Sequence, residues 1–466
     1  MTLTVRDLVK ASRGQLVSGY PATRCERISI DTRTLKPGDV FFALEGPRHD
    51  GHRFLRAAAE KGAAAIVLHR LDPDMTLGSR NIPDLIQVPD TLTALQETGR
   101  YVRSKIKKTV VIGLTGSNGK TTTKEMLASI LRRAGKTLAT RGNLNNHIGL
   151  PIVLTELEPD DQYAVIEMGT SKKGDMDLLV DLSRPTVGLI TNVGKDHLEF
   201  LGTPEGVLDV NRKLFDALPK NGIAVINLED PLLKSFAGKL PCTTVTYGRV
   251  PEADVRADSI VPSSSTVQFS LLLGKEAVPV TLNVVGEVQV LNAMAAAAVA
   301  YALKISSKQI VEGLESFKAV PMRMQAATRP DGTTIVNDAY NANPSSMRAS
   351  IDSFCRSYPD RPRWLVLGDM RELGPIARQE HDDLGRWVAQ QPVDRVFLYG
   401  RDSRFIQQGL MTEGRGSLVE RYRKKRYLIE SLNRSLQGPS KPAILFKASR
   451  SLKLEQVSHA LLPLPT

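Results

Sequence analysis

Residues 109–127, TVVIGLTGSNGKTTTKEML, restrict this chain more than any other stretch. Val110, Val111 and Ile112 form a short β-branched run, which Gly113, Gly116 and Gly119 then interrupt. Met126, Leu127, Ile130, Leu131 and Ala134 resume at helical spacing, so the pattern predicts strand, glycine loop and helix in succession. Glycine lets the backbone turn with its N–H groups inward, and the helix start adds a partial positive charge, which makes the loop an anion cradle. Lys120 follows where an ammonium can meet a phosphate, and Thr121 where a hydroxyl can meet magnesium. The expected ligand is a nucleoside triphosphate, held by Thr115, Gly116, Ser117, Asn118, Gly119, Lys120, Thr121 and Thr122. Strict spacing would put a glycine at Leu114, so this is a variant of the phosphate loop.

At 466 residues the chain exceeds one ordinary core and suggests about three domains. The expected boundaries are 1–104, 105–318 and 319–466. The second segment alternates apolar runs (YAVIEMG, TVGLITNVG, GIAVINLED) with helical stretches, which predicts a largely parallel sheet with helices on both faces. The third holds TTIVNDAY, RWLVLGDM, DRVFLYG and PAILFKAS at helix-sized intervals, which predicts a second, Rossmann-like doubly wound α/β layer. In the first, short strands are expected around SISIDTRTLKPGDVFFAL and a helix through HRFLRAAAEKGAAAIV, with SKIKK as a polar joint. The fold class is α/β, in three lobes whose clefts bind substrates.

No signal-peptide pattern opens the sequence and no apolar run reaches membrane-spanning length, so the expected location is the cytoplasm. Cys25, Cys242 and Cys355 lie far apart without metal-ligand spacing, which fits buried thiols in a reducing compartment. The net charge of +12 is densest in RYRKKR at 421–426, where no aromatic series accompanies it. A solvated helix face is the simplest reading, peripheral contact with an anionic membrane or an acidic protein partner the next; specific nucleic-acid binding is not expected.

Four polar clusters follow apolar runs, where α/β folds bind ligands. They hold Asn143, Asn145 and Asn146; Glu167; Asn192 and His197; and Asp338, Tyr340, Asn341 and Asn343. Glu167 at a strand end can complete a magnesium site with Thr121, since hard cations take oxygen ligands. Together these clusters resemble the Mur ligase family, ATP-dependent amide ligases of peptidoglycan precursor synthesis. TGSNGKTTTKEML is similar to the family's loop, EMGTSKKGDM to its acidic motif and TNVGKDHLEFLG to its histidine motif, and the resemblance runs over nearly the whole chain. NDAYNANPSSM, LGDMRELG and SIDTRTLKPGDVFFALEGPRHDGHRF resemble the members that join D-alanyl-D-alanine to a UDP-N-acetylmuramoyl-tripeptide through an acyl phosphate; the DNPR-type sequence of a neighbouring subfamily is missing.

The resemblance implies ATP and Mg2+ as cofactors, with Lys120, Glu167 and His197 catalytic, Thr121 and Glu167 at one magnesium and His197 at a second. It implies adenine contact by Asn292, and ribose or phosphate contact by Arg323 and Asp338. Ser29, Asp31, Thr32 and Arg33, with Gly46 and Asp50, fall where the family grips uridine nucleotide; Asn145 and Asn146 fall in its central substrate motif. Tyr340, Asn341 and Asn343 are further substrate candidates, and Lys447, Ser449 and Arg450 match the carboxy-terminal motif, with Ala448 at its usual glycine. A monomer is the expected state.

Two departures stand out. Most members carry a carbamylated lysine in a helix written roughly AKGEIF; here VNRKLF puts Asn211 at the lysine and Lys213 at the glutamate. Lys213 does not replace it, because two residues along a helix turn a side chain by about 200°; Asp196 and Asp209 are the candidates for a compensating charge. Val288 and Gln289 stand where the family commonly has histidine and asparagine, so fewer adenine contacts are expected. The alternative these losses raise is a nucleotide-binding homologue with weak or no ligase activity that acts as a scaffold. Ligation of glutamate to a folate is disfavoured by the amino-terminal resemblance.

Overall fold

The structure is a computed structural model that describes residues 3–70 and 82–462. Its largest sheet has nine strands in the order Thr137–Ala139, Tyr163–Glu167, Val110–Thr115, Val187–Ile190, Ile223–Asn227, Thr243–Tyr247, Val255–Pro262, Val267–Leu273 and Glu276–Leu282. The strands from Thr137–Ala139 to Val255–Pro262 pair in parallel, which puts their carboxyl ends on one edge. The sheet is largely parallel, as expected; the antiparallel pairing of its last three strands, each with the next, is not foreseen from the sequence. Gly274, at φ +62, makes the tight turn between two of them, and Val267, Phe269, Leu271 and Leu273 alternate inward. That period of two marks a sheet covered on one face only.

The helix Lys120–Ala134 starts at Gly119, at φ +80, and buries Met126, Leu127, Ile130 and Leu131. Against it packs Val288–Ala302, whose run of fully buried alanines lets the two helices approach closely.

The six-stranded sheet of the third lobe runs Gln325–Thr328, Thr334–Asn337, Ala443–Lys447, Arg363–Gly368, Arg395–Tyr399 and Val419–Tyr422, parallel except for its first pair. Its four inner strands are the four apolar runs of the sequence. The edge strands Gln325–Thr328 and Val419–Tyr422 escaped that reading because an edge needs no continuous apolar run, and neither has a buried residue. In the first lobe the predicted long helix is a 3-10 turn, the short helix Leu55–Glu60 and the strand Ala65–Leu68. Gly62, at φ +79, separates helix from strand, and the β-branched Ile66 and Val67 pair in parallel with Phe41 and Phe42.

The helix Thr91–Lys105 belongs to two lobes at once: it packs on the first lobe's Val5–Ser12 and on the central Gly149–Thr155 and Asp175–Ser183. A Cβ at Gly99 would lie 2.9 Å from Pro151 Cα, so glycine permits this approach. Among the described residues no helix is long and apolar enough to cross a membrane.

Candidate active site at the carboxyl edge of the central sheet

The loop after Val110–Thr115 is pinned by the next strand's tail. Ser117 N donates to Asn192 O (2.9 Å), Asn118 N to Asn192 Oδ1 (2.9 Å), and Thr191 Oγ1 to Asn118 O (2.6 Å). Gly116 sits at φ +131, and a Cβ there would lie 2.2 Å from Thr191 Oγ1. At Gly119 the same atom would fall 2.2 Å from Asn292 Oδ1. The Lys120 ammonium curls over the loop and donates to the carbonyls of Gly116 and Ser117. Burial lowers its pKa, Asp196 and Glu167 oppose that, and Arg323 adds to it. An ammonium so placed is stabilised by an incoming anion.

Glu167 ends its strand nearly buried, at 2% exposure, with its N–H on Thr140 Oγ1 (2.9 Å). Its Oε1 accepts from Asn145 Nδ2 (2.8 Å) and from the Thr121 hydroxyl (3.3 Å). Among the described residues its Oε2 is buried without a hydrogen-bond partner and pairs only with the ammonium of the fully buried Lys124, at 3.9 Å. An orphaned carboxylate oxygen beside a threonine hydroxyl fits magnesium, which takes few protein oxygens and leaves the rest of its shell to phosphate and water. His197 makes no hydrogen bond to either residue; its Nδ1 lies 2.6 Å from Glu372 Oε2 in the third lobe.

Other third-lobe groups reach the same loop. Arg323 donates to Thr121 Oγ1 (3.2 Å) and stacks over the Tyr340 ring, 4.0 Å from its centroid. Asn343 caps the helix Pro344–Ser357 with its Oδ1 and donates from Nδ2 to Asn118 Oδ1 (2.9 Å); Asn118 in turn donates to Ser345 Oγ (3.1 Å). Asp338, expected at the nucleotide, is already engaged: Oδ2 accepts from Lys447 Nζ (2.6 Å) and Ser350 Oγ (2.6 Å), Oδ1 from Met324 N (3.1 Å). Lys447 also donates to Asn341 O (3.2 Å), Ser449 to Ala342 O (3.3 Å), and Arg450 pairs with Glu455 (2.9 Å).

Asn292 ties the loop helix to its neighbour, accepting from Thr123 Oγ1 (3.3 Å) and donating to Gln289 Oε1 (3.0 Å). Asn146 lies ahead of the helix Gly149–Thr155, its Oδ1 accepting from Ile148 N and Gly149 N at 3.1 and 2.9 Å. Asn211 is buried, its Oδ1 accepting from Thr115 Oγ1 (3.2 Å) and Thr170 Oγ1 (3.4 Å). Of the two carboxylates considered as compensation, Asp196 bonds the loop's Ser117 while Asp209 is exposed.

The first-lobe candidates form two groups with no hydrogen bond between them among the described residues. In one, Ser29 Oγ and Asp31 O bond each other, Lys61 Nζ reaches Thr32 O (2.7 Å), and Arg33 grips Asp31, whose carboxyl its hydrogen bonds lower to about 2. In the other, Gly46 and Asp50 belong to a small hairpin, where Asp50 accepts from His52 Nδ1 (3.0 Å) and Arg70 (2.5 Å).

Sequence reasoning missed Lys124, Thr140 and Glu372. Lys124 is one helical turn beyond Lys120 and therefore on its face, a signal that TTTK carries; Thr140 and Glu372 stand beside Glu167 and His197 only in three dimensions.

Comparison with known sequences matches residues 114–300 to the Mur ligase middle domain, 322–450 to the Mur ligase glutamate ligase domain and 24–102 to the Mur ligase family catalytic domain. UDP-N-acetylmuramoyl-tripeptide--D-alanyl-D-alanine ligase of Bacillus subtilis (strain 168) is 34% identical over 99% of both chains. The chain belongs to the Mur ligase family. The Mur ligase of the same name from Escherichia coli (strain K12) is 35% identical over 99% of this chain and 98% of its own. Among solved Mur ligases, MurF from Acinetobacter baumannii superposes with a TM-score of 0.89 at 32% identity, covering 99% of each chain. MurF from Thermotoga maritima in complex with ADP gives 0.80 at 27% identity, over 93% of this chain and 96% of that one.

Proposed function

We propose that this chain is an ADP-forming amide ligase that joins D-alanyl-D-alanine to UDP-N-acetylmuramoyl-tripeptide through an acyl phosphate, a step of peptidoglycan precursor synthesis. End-to-end identity of 34–35% with ligases of that name carries the reading. It is supported by a phosphate loop whose Thr121 bonds Glu167, a carboxylate with one oxygen lacking a hydrogen-bond partner, and that is touched by a second lobe. We assign the uridine nucleotide to 1–104, ATP to 105–318, and closure over both to 319–466. A UDP-linked substrate and an ATP requirement support a cytoplasmic setting.

In this mechanism the triphosphate lies over the amides of Gly116 to Lys120. Lys120 exchanges its loop carbonyls for phosphate oxygens, which stabilises the ammonium that burial disfavours. Arg323, stacked on Tyr340, adds a second positive charge from the third lobe. Thr121 and Glu167 would hold one magnesium and His197 would help hold a second; magnesium when bound would draw charge from the phosphate oxygens and from the leaving ADP. The terminal carboxylate of the tripeptide attacks the γ-phosphorus, ADP departs, and the carboxyl carbon gains a phosphate leaving group. The D-alanyl-D-alanine amine then attacks that carbon, loses a proton, and expels phosphate as the amide forms. Positioning of two anions against fixed cations does most of this work.

Asn211 favours a second reading, the weakly active scaffold, because it sets a neutral amide where the family resemblance expects an anion. Phosphate release with UDP-muramoyl-tripeptide decides between them. Strong stimulation by D-alanyl-D-alanine, and none by single amino acids, is the expected result. Nucleotide binding without acceptor-stimulated turnover would overturn the ligase in favour of the scaffold.

A further inference from the structure

His197 and Glu372 are both non-glycine residues in the left-handed region, at φ +52 and +63, and they meet across the boundary between the central and third lobes. Residues with a Cβ adopt that region only when their surroundings hold them there, and such strain gathers at working sites. The contact is made twice: Glu372 Oε2 lies 2.6 Å from His197 Nδ1, and Glu372 O accepts from Glu199 N (3.1 Å).

The arm carrying Glu372 is built for aim. Asp369, fully buried, accepts from the backbone N–H groups of Arg401, Asp402 and Ser403 at 3.1, 3.0 and 2.9 Å. Met370 N donates to His381 Nε2 (2.9 Å) and Arg371 N to Ser449 Oγ (2.8 Å). Three successive residues are thus fixed from inside the third lobe, and the fourth is extended to the histidine.

A carboxylate against Nδ1 accepts its hydrogen bond and fixes the ring's orientation, turning Nε2 away from Glu372, the arrangement in which an imidazole serves as an oriented ligand. We propose that Glu372 is a positioning residue that makes His197 a competent ligand only when the third lobe is seated. This rests on the magnesium reading above. It deepens that reading by making lobe closure and metal readiness one event, since the carboxylate that orients the ring arrives with the other lobe.

The rival account is adhesion: Glu372 merely helps hold two lobes together. A control lies beside it, because Lys195 Nζ pairs with Glu380 Oε1 (2.6 Å) across the same boundary without touching the ring. The test uses the full chain with Glu372→Ala, Glu372→Gln and Glu380→Gln. Two quantities are measured: the Mg2+ concentration that half-saturates ADP binding, by calorimetry, and kcat and KM for each substrate. Glu372 is half exposed, so its truncation does not threaten folding. Loss of an outer partner of a metal-bound histidine weakens metal affinity or activity roughly 10- to 100-fold. Glu372→Ala is expected to raise the Mg2+ requirement and lower kcat within that range, with KM for the UDP-tripeptide little changed. The glutamine variant, which keeps an acceptor oxygen, should recover part of both. Glu380→Gln should move neither by more than about twofold. Equal effects of Glu372→Ala and Glu380→Gln would overturn the proposal in favour of adhesion, as would an unaltered Mg2+ requirement in Glu372→Ala. An unaltered Mg2+ requirement in Glu167→Gln would instead overturn the metal reading beneath it.

Discussion

Two buried carboxylates close strand ends on facing lobes, and they are finished differently. Asp338, beyond the third-lobe strand Thr334–Asn337, has both oxygens taken: Lys447 and Ser350 donate to one, Met324 N to the other. Glu167, ending the central strand Tyr163–Glu167, has one oxygen bonded and the other buried with no hydrogen-bond partner among the described residues, only the Lys124 ammonium at 3.9 Å. Burying a polar atom without a partner costs about 1–3 kcal/mol, more for a charge. Donors are complete around Asp338 and incomplete around Glu167, and the magnesium reading proposed above rests on that difference. Location at a strand end is therefore weak evidence of function, and the unmet hydrogen-bonding capacity is stronger.

The most forceful way to break the contrast is to neutralise each carboxylate. Glu167→Gln should lower kcat/KM by roughly a hundred- to a thousandfold, about 3–4 kcal/mol of transition-state stabilisation, and hold or raise the urea midpoint, since it removes a buried charge with unmet hydrogen bonding. Activity within tenfold of the parent would mean that the open oxygen is an accident of packing. Asp338→Asn should do the reverse, leaving Lys447, at 4% side-chain exposure, as an uncompensated buried cation and costing about 3 kcal/mol of stability. Urea unfolding reads this directly, and adding Lys447→Met should restore most of the loss, because removing both partners avoids the stranded charge. If Asp338→Asn unfolds like the parent but fails to bind nucleotide, the saturated carboxylate is a ligand group after all.

These opposite outcomes also explain what was legible in the sequence. The phosphate loop could be read because its chemistry is local: Gly116, Gly119, Lys120 and Thr121 lie within one turn of chain, and their backbone demands are written in residue type. The place of Glu167 at a strand end could be read because it closes an apolar run. Asp338 closes one too, and nothing in NDAY records that Lys447, more than a hundred positions later, occupies it. The antiparallel strands after Val255 and the edge strands of the third lobe were lost for a related reason, since pairing direction and edge placement depend on partners distant in sequence. Asn146, which matched a substrate motif, engages Ile148 N and Gly149 N through its Oδ1, a local bond that its residue type makes readily.

A smaller effect tests the loop's backbone, which both lobes lean on. Gly119→Ala places a Cβ at φ +80 and 2.2 Å from Asn292 Oδ1, the atom that accepts from Thr123. The strain should cost about 1–3 kcal/mol and weaken ADP binding more than it weakens folding. Calorimetry set beside urea titration separates the two. An alanine variant that binds ADP normally would show that the loop's left-handed turn and Asn292 both yield without consequence.

The mildest test lies in the arm that carries Glu372, and it extends the saturated class to a histidine. His381 is fully buried, with Nε2 accepting from Met370 N (2.9 Å) and Nδ1 against Ala377 O (2.6 Å), so the ring is neutral and fully partnered. Burial pushes its pKa below the usual 6.5, Ala377 O, Asp369 and Asp402 opposing and Arg371 assisting. A folded-state pKa below the unfolded one means that the unfolded chain takes up the proton first. Stability from this group is therefore complete above pH 6.5 and falls as pH drops from there towards the folded value, by up to about 1.4 kcal/mol per pH unit. Urea midpoints from pH 7.5 to 5.5 should show that slope, and His381→Gln, less stable at neutral pH, should flatten it by the same amount. An equal slope in both proteins would mean that the imidazole is protonated in place, with Met370 N losing its acceptor. The Glu372 arm would then loosen in acid, and acid would move the metal side of the site as well as the structural one.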